Sequence, residues 1–309
     1  MIYTVLLNPS LDVYFGVGEM QLGSTRTGVP SQLFPAGKGL NVAKVVRALG
    51  EEVCVTGIMP DSNRAWFEKY CESRKIVPRF FSIEGHARVN ATILEEEVGQ
   101  VTHISATGPK MTTRVQEDLQ RFVSEVMKPG DFWVFSGSIP TGFDNDAYSK
   151  LIRQCRQAKT TTLLDTSGAA LKMGVRAKPD MVKPNLTELE GYFGEKVKGI
   201  RHIALKGKKL LDTGIKYVFI SLGSDGLIAI HENDCLLCST PAIKVVDTVG
   251  CGDALVAGLV VGERRHFSFP EMCRLAVACG SSNAMHPGPG NIVLEEVWQL
   301  MEEVTVETA

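Results

Sequence analysis

The chain has 309 residues, 44% of them hydrophobic and 22% charged, which suits a soluble globular protein with a sizeable core. A formal net charge of -2 and a pI near 6.3 give no general basic field to hold nucleic acid or an anionic membrane. The N-terminus has no basic n-region and its apolar run is too short for a signal peptide, and the longest apolar run, Ala254 to Gly262, falls far short of the roughly 20 residues of a membrane span, so a cytoplasmic protein is expected.

Ile2 to Leu7 reads as the first strand, and Asn8-Pro9-Ser10-Leu11-Asp12 follows it. Ligands of open parallel sheets bind beyond the strands' carboxyl ends, so Asp12 is a candidate for sugar hydroxyls, although a turn aspartate is the plainer reading. Residues 12–35 are glycine-punctuated and extended in character. Ala36-Gly37-Lys38-Gly39-Leu40-Asn41 then opens a helix in which Val42, Val45, Val46 and Leu49 share one face and Gly50 is the stop. Gly37 and Gly39 admit a ligand closely, Lys38 brings a charge, and Asn41 offers a donor and an acceptor. With Gly39 after the lysine it is not a Walker A loop, and by itself it is as readily a turn as a site.

Arg79-Ile83, Arg88-Glu95 and Gln100-Ser105 read as successive strands, joined by Glu-Gly-His and Glu-Val-Gly turns. With residues 12–35 they suggest a small antiparallel sheet, which must lie over a site or a partner subunit because a few strands bury little alone. Arg88 and Asn90 share a face of their strand, and Arg26 lies in the other insertion. Arginine on such a lid suits bidentate recognition of an anionic substrate group, with a solvated surface arginine as the alternative.

From about residue 110 short apolar runs (Phe132-Phe135, Thr162-Leu164, Met181-Val182, Tyr217-Leu222) alternate with helical patterns such as Val115 to Met127 and Tyr148 to Ala158. That alternation implies parallel βαβ units with helices on both faces. We therefore expect one α/β domain over 1–309, doubly wound around a mostly parallel sheet, with a β lid built from about 12–35 and 79–105.

Lys183-Pro184-Asn185-Leu186-Thr187-Glu188 breaks a strand and starts a helix near Thr187. Asn185 and Glu188 would suit a hydrated magnesium, or simply a helix cap and a first-turn acid. Ser221-Leu222-Gly223-Ser224-Asp225-Gly226 ends another strand, with small residues that suit a nucleotide or a turn equally. The eight cysteines read as free thiols, and Cys235 and Cys238, with His231 upstream, are better strand residues on opposite faces than a zinc site.

Asp247-Thr248-Val249-Gly250-Cys251-Gly252-Asp253 is the most informative segment. It enters an apolar helix, leaving the amides of Gly250, Cys251 and Gly252 free for an anion, with the Asp253 carboxylate beside it. A phosphotransferase needs that pairing, since the amides hold the phosphate and the carboxylate takes a proton from the attacking hydroxyl. A capped helix start after a glycine-rich turn is the competing reading.

In this order and spacing the pieces resemble the ribokinase-like (PfkB) family of sugar kinases, over roughly Ile2 to Trp298. The resemblance implies a doubly wound α/β domain with a β lid, ATP as phosphate donor, magnesium, and potassium as an activator in parts of the family. It implies that Asp253 is the catalytic base and that Gly250, Cys251 and Gly252 form the anion hole. Lys183, Asn185 and Glu188 correspond to the nucleotide phosphate and magnesium region, Asn185 and Glu188 reaching the ion through water. Ser221, Gly223, Gly226 and Asn283 correspond to the nucleotide pocket, and Asp12, Gly37, Lys38 and Asn41 to the sugar contacts. Arg-Val-Asn at 88–90, Thr-Gly-Pro at 107–109 and Ser-Gly-Ser-Ile-Pro at 136–140 resemble the 1-phosphofructokinase and tagatose-6-phosphate kinase branch. Lys38, Arg88 and Arg26 would serve a phosphosugar, with Asn90 and Ser138 beside them.

Three positions depart from the family: Cys251 for alanine or serine, where the thiol is open to oxidation if exposed; Ala36 for glycine; and Met59 to Arg64 for the usual loop near the sugar. The implied reaction is phosphorylation of a ketohexose phosphate by ATP. Fructose 1-phosphate giving the 1,6-bisphosphate is the first choice, with tagatose-6-phosphate or fructose-6-phosphate kinase as alternatives. A non-catalytic sugar-phosphate sensor on the same fold is an alternative of a different class. The lid's strand edges suggest a homodimer.

Overall fold

The computed structural model describes residues 1–95, 97 and 100–309. Part of the predicted Glu-Val-Gly turn, at 98–99, lies outside the described residues. In chain order the first elements are β1 (Ile2–Leu6), β2 (Ser10–Val17), β3 (Ser31–Ala36), α1 (Lys38–Ala48), β4 (Val53–Pro60), α2 (Asp61–Ser73), β5 (Val77–Ile83), β6 (Arg88–Glu95) and β7 (Gln100–Ile104). Next come α3 (Thr113–Val126), β8 (Phe132–Ser136), α4 (Ala147–Gln157), β9 (Thr161–Asp165), α5 (Gly168–Arg176), β10 (Met181–Val182), α6 (Leu186–Phe193) and α7 (Ile200–Leu211). The chain ends with β11 (Tyr217–Ser221), β12 (Leu227–His231), β13 (Asp234–Ser239), α8 (Cys251–Arg264), α9 (Phe269–Ala284), α10 (Leu294–Glu303) and β14 (Thr305–Thr308).

Ten strands form one sheet in the order β14-β13-β12-β11-β10-β9-β8-β1-β4-β5. Pairing is parallel from β5 to β11 and antiparallel from β11 to β14. Alternation along β1 sends Ile2 and Leu6 into one core and Val5 and Leu7 into the other. Helices α1, α2, α8, α9 and α10 cover the first face, and α3, α4, α5, α6 and α7 the second. On α1 the predicted stripe of Val42, Val45, Val46 and Leu49 is buried, each side chain contributing about 1.5–3 kcal/mol. Gly50, at φ 96°, ends the helix: its N–H reaches the Arg47 carbonyl while Glu51 N–H reaches Val46. Cys238 and Cys235 fall in opposite cores, as strand residues three apart must, and no cluster of three His, Cys, Asp or Glu suited to a metal occurs among the described residues.

The second sheet, in the order β3-β2-β6-β7, is mixed rather than antiparallel, because β2 and β6 run parallel. The Arg79-Ile83 segment is not part of it. As β5 it pairs with β4 at the edge of the main sheet, so the second lid insertion begins at Arg88. Among the described residues no helix is long and apolar enough to cross a membrane.

Candidate active site

Parallel strands end on one side, so β1, β8, β9, β10 and β11 deliver their following residues to one edge of the sheet. Helix α1 starts there. Its N-cap, Gly37, has φ 119°, and a side chain on it would come within 2.6 Å of Leu6 Cδ1; one on Gly39 would run into the Val5 carbonyl. The two glycines seat the helix on β1 and so fix the depth of Lys38 and Asn41. Opposite, α8 begins at Gly250, held at φ 85° and packed against Pro289.

Asp253 lies between these helix starts and is 4% exposed. Its Oδ2 accepts from Asn41 Nδ2 at 2.8 Å, and Lys38 Nζ stands 3.9 Å from its Oδ1. Burial pushes the carboxyl up to about 6 against the pull of Lys38, with nearby Asp165 adding to the rise. Asp165, fully buried at the end of β9, pairs with Lys38 at 3.0 Å and Lys183 at 3.0 Å. Burial would raise this carboxyl as well, but the two lysines outweigh it and hold it below its ordinary value. For Lys38, Asp165 and then Asp253 overcome the cost of burial and raise the ammonium. The result is a chain of alternating charge, Lys183–Asp165–Lys38–Asp253.

Among the described residues the amides of Gly250, Gly252 and Asp253 have no acceptor, whereas Cys251 N–H makes a long 3.4 Å bond to the Thr248 carbonyl. The free donors therefore keep Gly250 and Gly252 of the expected 250–252 set, with Asp253 in place of Cys251. Lys183 Nζ stands beside Gly252, where an added Cβ would lie 3.8 Å away. Burial pushes the half-buried Cys251 thiol up to about 11, which disfavours its thiolate near neutral pH. Asn283 Nδ2 approaches the thiol at 3.4 Å and donates to the Val249 carbonyl at 2.9 Å. Its Oδ1 accepts from Gly290 and Asn291 N–H. Asn283 thus braces the 247–253 turn against residues 290–291.

A cavity of about 770 Å³ opens beside β11, lined by Asn185, Thr187, Ser221, Gly223, Ser224 and Thr240 among others. Gly226 does not line it; a side chain there would run into the Cys238 carbonyl, and the residue serves the turn at φ 98°. Asn185 and Glu188 form a capping box on α6, each side chain bonding the other's backbone N–H at 2.8 Å. Asn185 faces the large cavity, while Glu188 faces a smaller one of about 170 Å³ with Lys38, Arg88 and Ser138. Arg88 and Ser138 also border an adjoining space of about 220 Å³ with Asn8 and Thr107. The Arg88 Nε is buried with no partner among the described residues, and burial lowers the Arg88 pKa. Asn90 donates to Asp12 at 2.8 Å across the β2–β6 pair. Arg26 is exposed and bonds the Glu19 carbonyl, away from both cavities. Met59 to Arg64 is no loop: it is the end of β4 and the first turn of α2.

Three contributors escaped the sequence reading. Asp165 was detectable by the strand-end rule applied to Asp12. Asn8, which donates to Ser138 at 3.1 Å, lay in a segment read only for its aspartate. Asp247, fully buried, accepts from Val249 and Gly288 N–H and ties the anion loop to 284–291; nothing in its neighbours announces that distant partner.

The pattern of the "pfkB family carbohydrate kinase" matches residues 22–296. The chain belongs to that family. It is similar to a tagatose-6-phosphate kinase of Staphylococcus epidermidis, 31% identical over 99% of both chains. It is also similar to a 1-phosphofructokinase of Vibrio cholerae, 32% identical over 99% of this chain and 96% of that one. In fold it resembles phosphofructokinase-2 of Escherichia coli in complex with substrates and products, with TM-score 0.91 at 22% identity over 97% of this chain and 98% of that one. This pfkB chain is thus a ribokinase-like ATP-dependent sugar-phosphate kinase.

Proposed function

We propose that the chain phosphorylates fructose 1-phosphate with ATP, giving fructose 1,6-bisphosphate, with Asp253 as general base. The observation that carries this is a buried carboxylate at α8's N-terminus, held by Asn41 and Lys38 and next to a cavity that Arg88 enters. The two named relatives act on hexose phosphates, and the 1-phosphofructokinase likeness favours fructose 1-phosphate among them.

Asp253 takes the proton of the attacking hydroxyl, and a pKa near 6 leaves it ionised but still basic at neutral pH. The free amides of Gly250, Gly252 and Asp253, with Lys183, face the charge that develops on the transferred group, so catalysis is mostly positioning and electrostatics. Arg88, with Asn8 and Ser138, holds the phosphate already on the sugar; Asp12 and Asn90 hold hydroxyls from the lid. The nucleotide occupies the large cavity past β11, whose volume suits a ligand of that size. Magnesium fits as a hydrated ion, because Glu188 keeps a second carboxylate oxygen outside its capping box. When bound it supplies neutralisation of phosphate charge, with Glu188 and Asn185 ordering its waters.

A coupled assay of ADP release over a panel of sugar phosphates and neutral sugars tests this reading. Fructose 1-phosphate should give the highest kcat/KM. A higher value for tagatose 6-phosphate or fructose 6-phosphate would refute the substrate, and a higher value for a neutral sugar would refute the phosphate-holding role of Arg88. The lid's open edges lead us to propose a homodimer as well, to be checked by sedimentation.

A further inference from the structure

A third cavity, of about 430 Å³, lies behind the site, between α1, α2, the lid strand β3 and residues 288–292. Among the described residues its charged lining consists of Lys44, Arg47 and Arg74, with no carboxylate. Phe34 and Tyr70 supply aromatic walls, and the Arg74 guanidinium stacks 3.8 Å over the Tyr70 ring. Lys44 is buried and its ammonium donates to the Pro289 carbonyl, a neutral partner. Burial and then Arg74 pull its pKa down to about 8. Three cations face one concave space and repel one another; the most buried of them is hydrogen-bonded to a carbonyl, and the pull of Asp12 and Asp253 offsets burial and Arg74 only in part, so an anion would be favoured there. Arg47 commits one nitrogen to the Glu51 carbonyl, and Arg74 makes a 3.4 Å bond to Ser73, so both keep donors for a ligand.

We propose that this cavity binds a small phosphate monoester at a site separate from the catalytic one. The fork geometry of two arginines and the point charge of Lys44 match phosphate oxygens, and the aromatic walls match a short carbon skeleton. The back wall makes the site consequential. A side chain on Gly290 would come within 2.7 Å of both the Asn41 carbonyl and Lys44 Cε, and Pro289 packs on Gly250. A ligand that engages Lys44 therefore touches the segment supporting both Asn41 and the anion loop.

The test is calorimetric titration with 3-phosphoglycerate, performed with the catalytic site saturated by a non-hydrolysable ATP analogue and the preferred sugar phosphate. One further molecule should bind per chain, and glycerate, which lacks the phosphate, should not. Arg47→Gln with Arg74→Gln should weaken that binding at least tenfold while kcat stays within about twofold, the loss expected for charge-assisted hydrogen bonds. Arg74→Gln alone, at an exposed helix end, gives a smaller loss in the same direction and covers the case in which the double variant does not fold. The absence of binding to the saturated wild type, equal binding of glycerate, or undiminished binding by a folded variant would overturn the proposal.

Discussion

Replacing Asp253 by asparagine should damage catalysis and stabilise the fold in the same molecule. The carboxyl is buried and its pKa stands at about 6 against an ordinary 3.8. A folded-state pKa above the unfolded one means stability that is present at low pH and lost as pH rises through about 6. At neutral pH the ionised carboxylate costs the folded state about 3 kcal/mol from that difference. The asparagine side chain carries no charge, still offers an oxygen to Asn41, and escapes this cost. At about 2 °C per kcal/mol for a chain of this size, Tm should rise by about 6 °C near neutral pH, and the gain should shrink as pH falls below about 6 and vanish below about 4. Turnover should fall by about 10²–10⁴-fold with the KM for ATP little changed. Scanning calorimetry across pH and the coupled assay read the two effects. A variant no more stable than wild type near neutral pH, or one with near-normal turnover, would refute the picture of a buried, strained base.

Other expectations follow from the same geometry. The kcat/KM of the wild type should fall about tenfold per pH unit below about 6, where Asp253 becomes protonated. Asn41→Ala removes a bond that favours the ionised carboxyl, so the acid limb should move to higher pH; a pH–rate profile with an unmoved limb would contradict the Asn41 role. Arg88→Glu should raise KM for the sugar phosphate at least tenfold and KM for ATP far less, measured by varying each substrate in turn. Gly226→Ala should lower Tm without a matching change in the KM for ATP, since its Cβ would run into the Cys238 carbonyl at φ 98°.

What the sequence disclosed was local. Strand and helix periods placed β1, β8, β9 and β11 within a residue or so, because each is a short apolar run between turn residues. Gly50 announced the end of α1 for the same reason, needing only neighbours to act. Partners remote in the chain were not legible. Arg79-Ile83 has the same strand character whether it joins a lid or the main sheet, and only pairing with β4 decides. Asn283 was assigned to the nucleotide by likeness, yet its bonds run to Val249, Gly290 and Asn291. Arg26 had the right charge in the right insertion, but the chain carries it to Glu19 instead of the substrate cavity. Asp165 gains its weight from Lys38 and Lys183, a pairing that no spacing predicts.

The parallel pairing of β2 with β6 has a kinetic side. Ser10 opposes Arg88 and Asp12 opposes Asn90, so the two strands meet across almost eighty intervening positions. Neither can find the other by a local turn; α1, β4, α2 and β5 must first be in place to bring them together. The four-stranded sheet should consequently be the last piece to assemble during refolding and the first to exchange its amide hydrogens under native conditions. If that sheet covers the substrate as proposed, activity during refolding should lag behind the return of helical circular dichroism, because the proposed base Asp253 sits on the main sheet's side, which forms first.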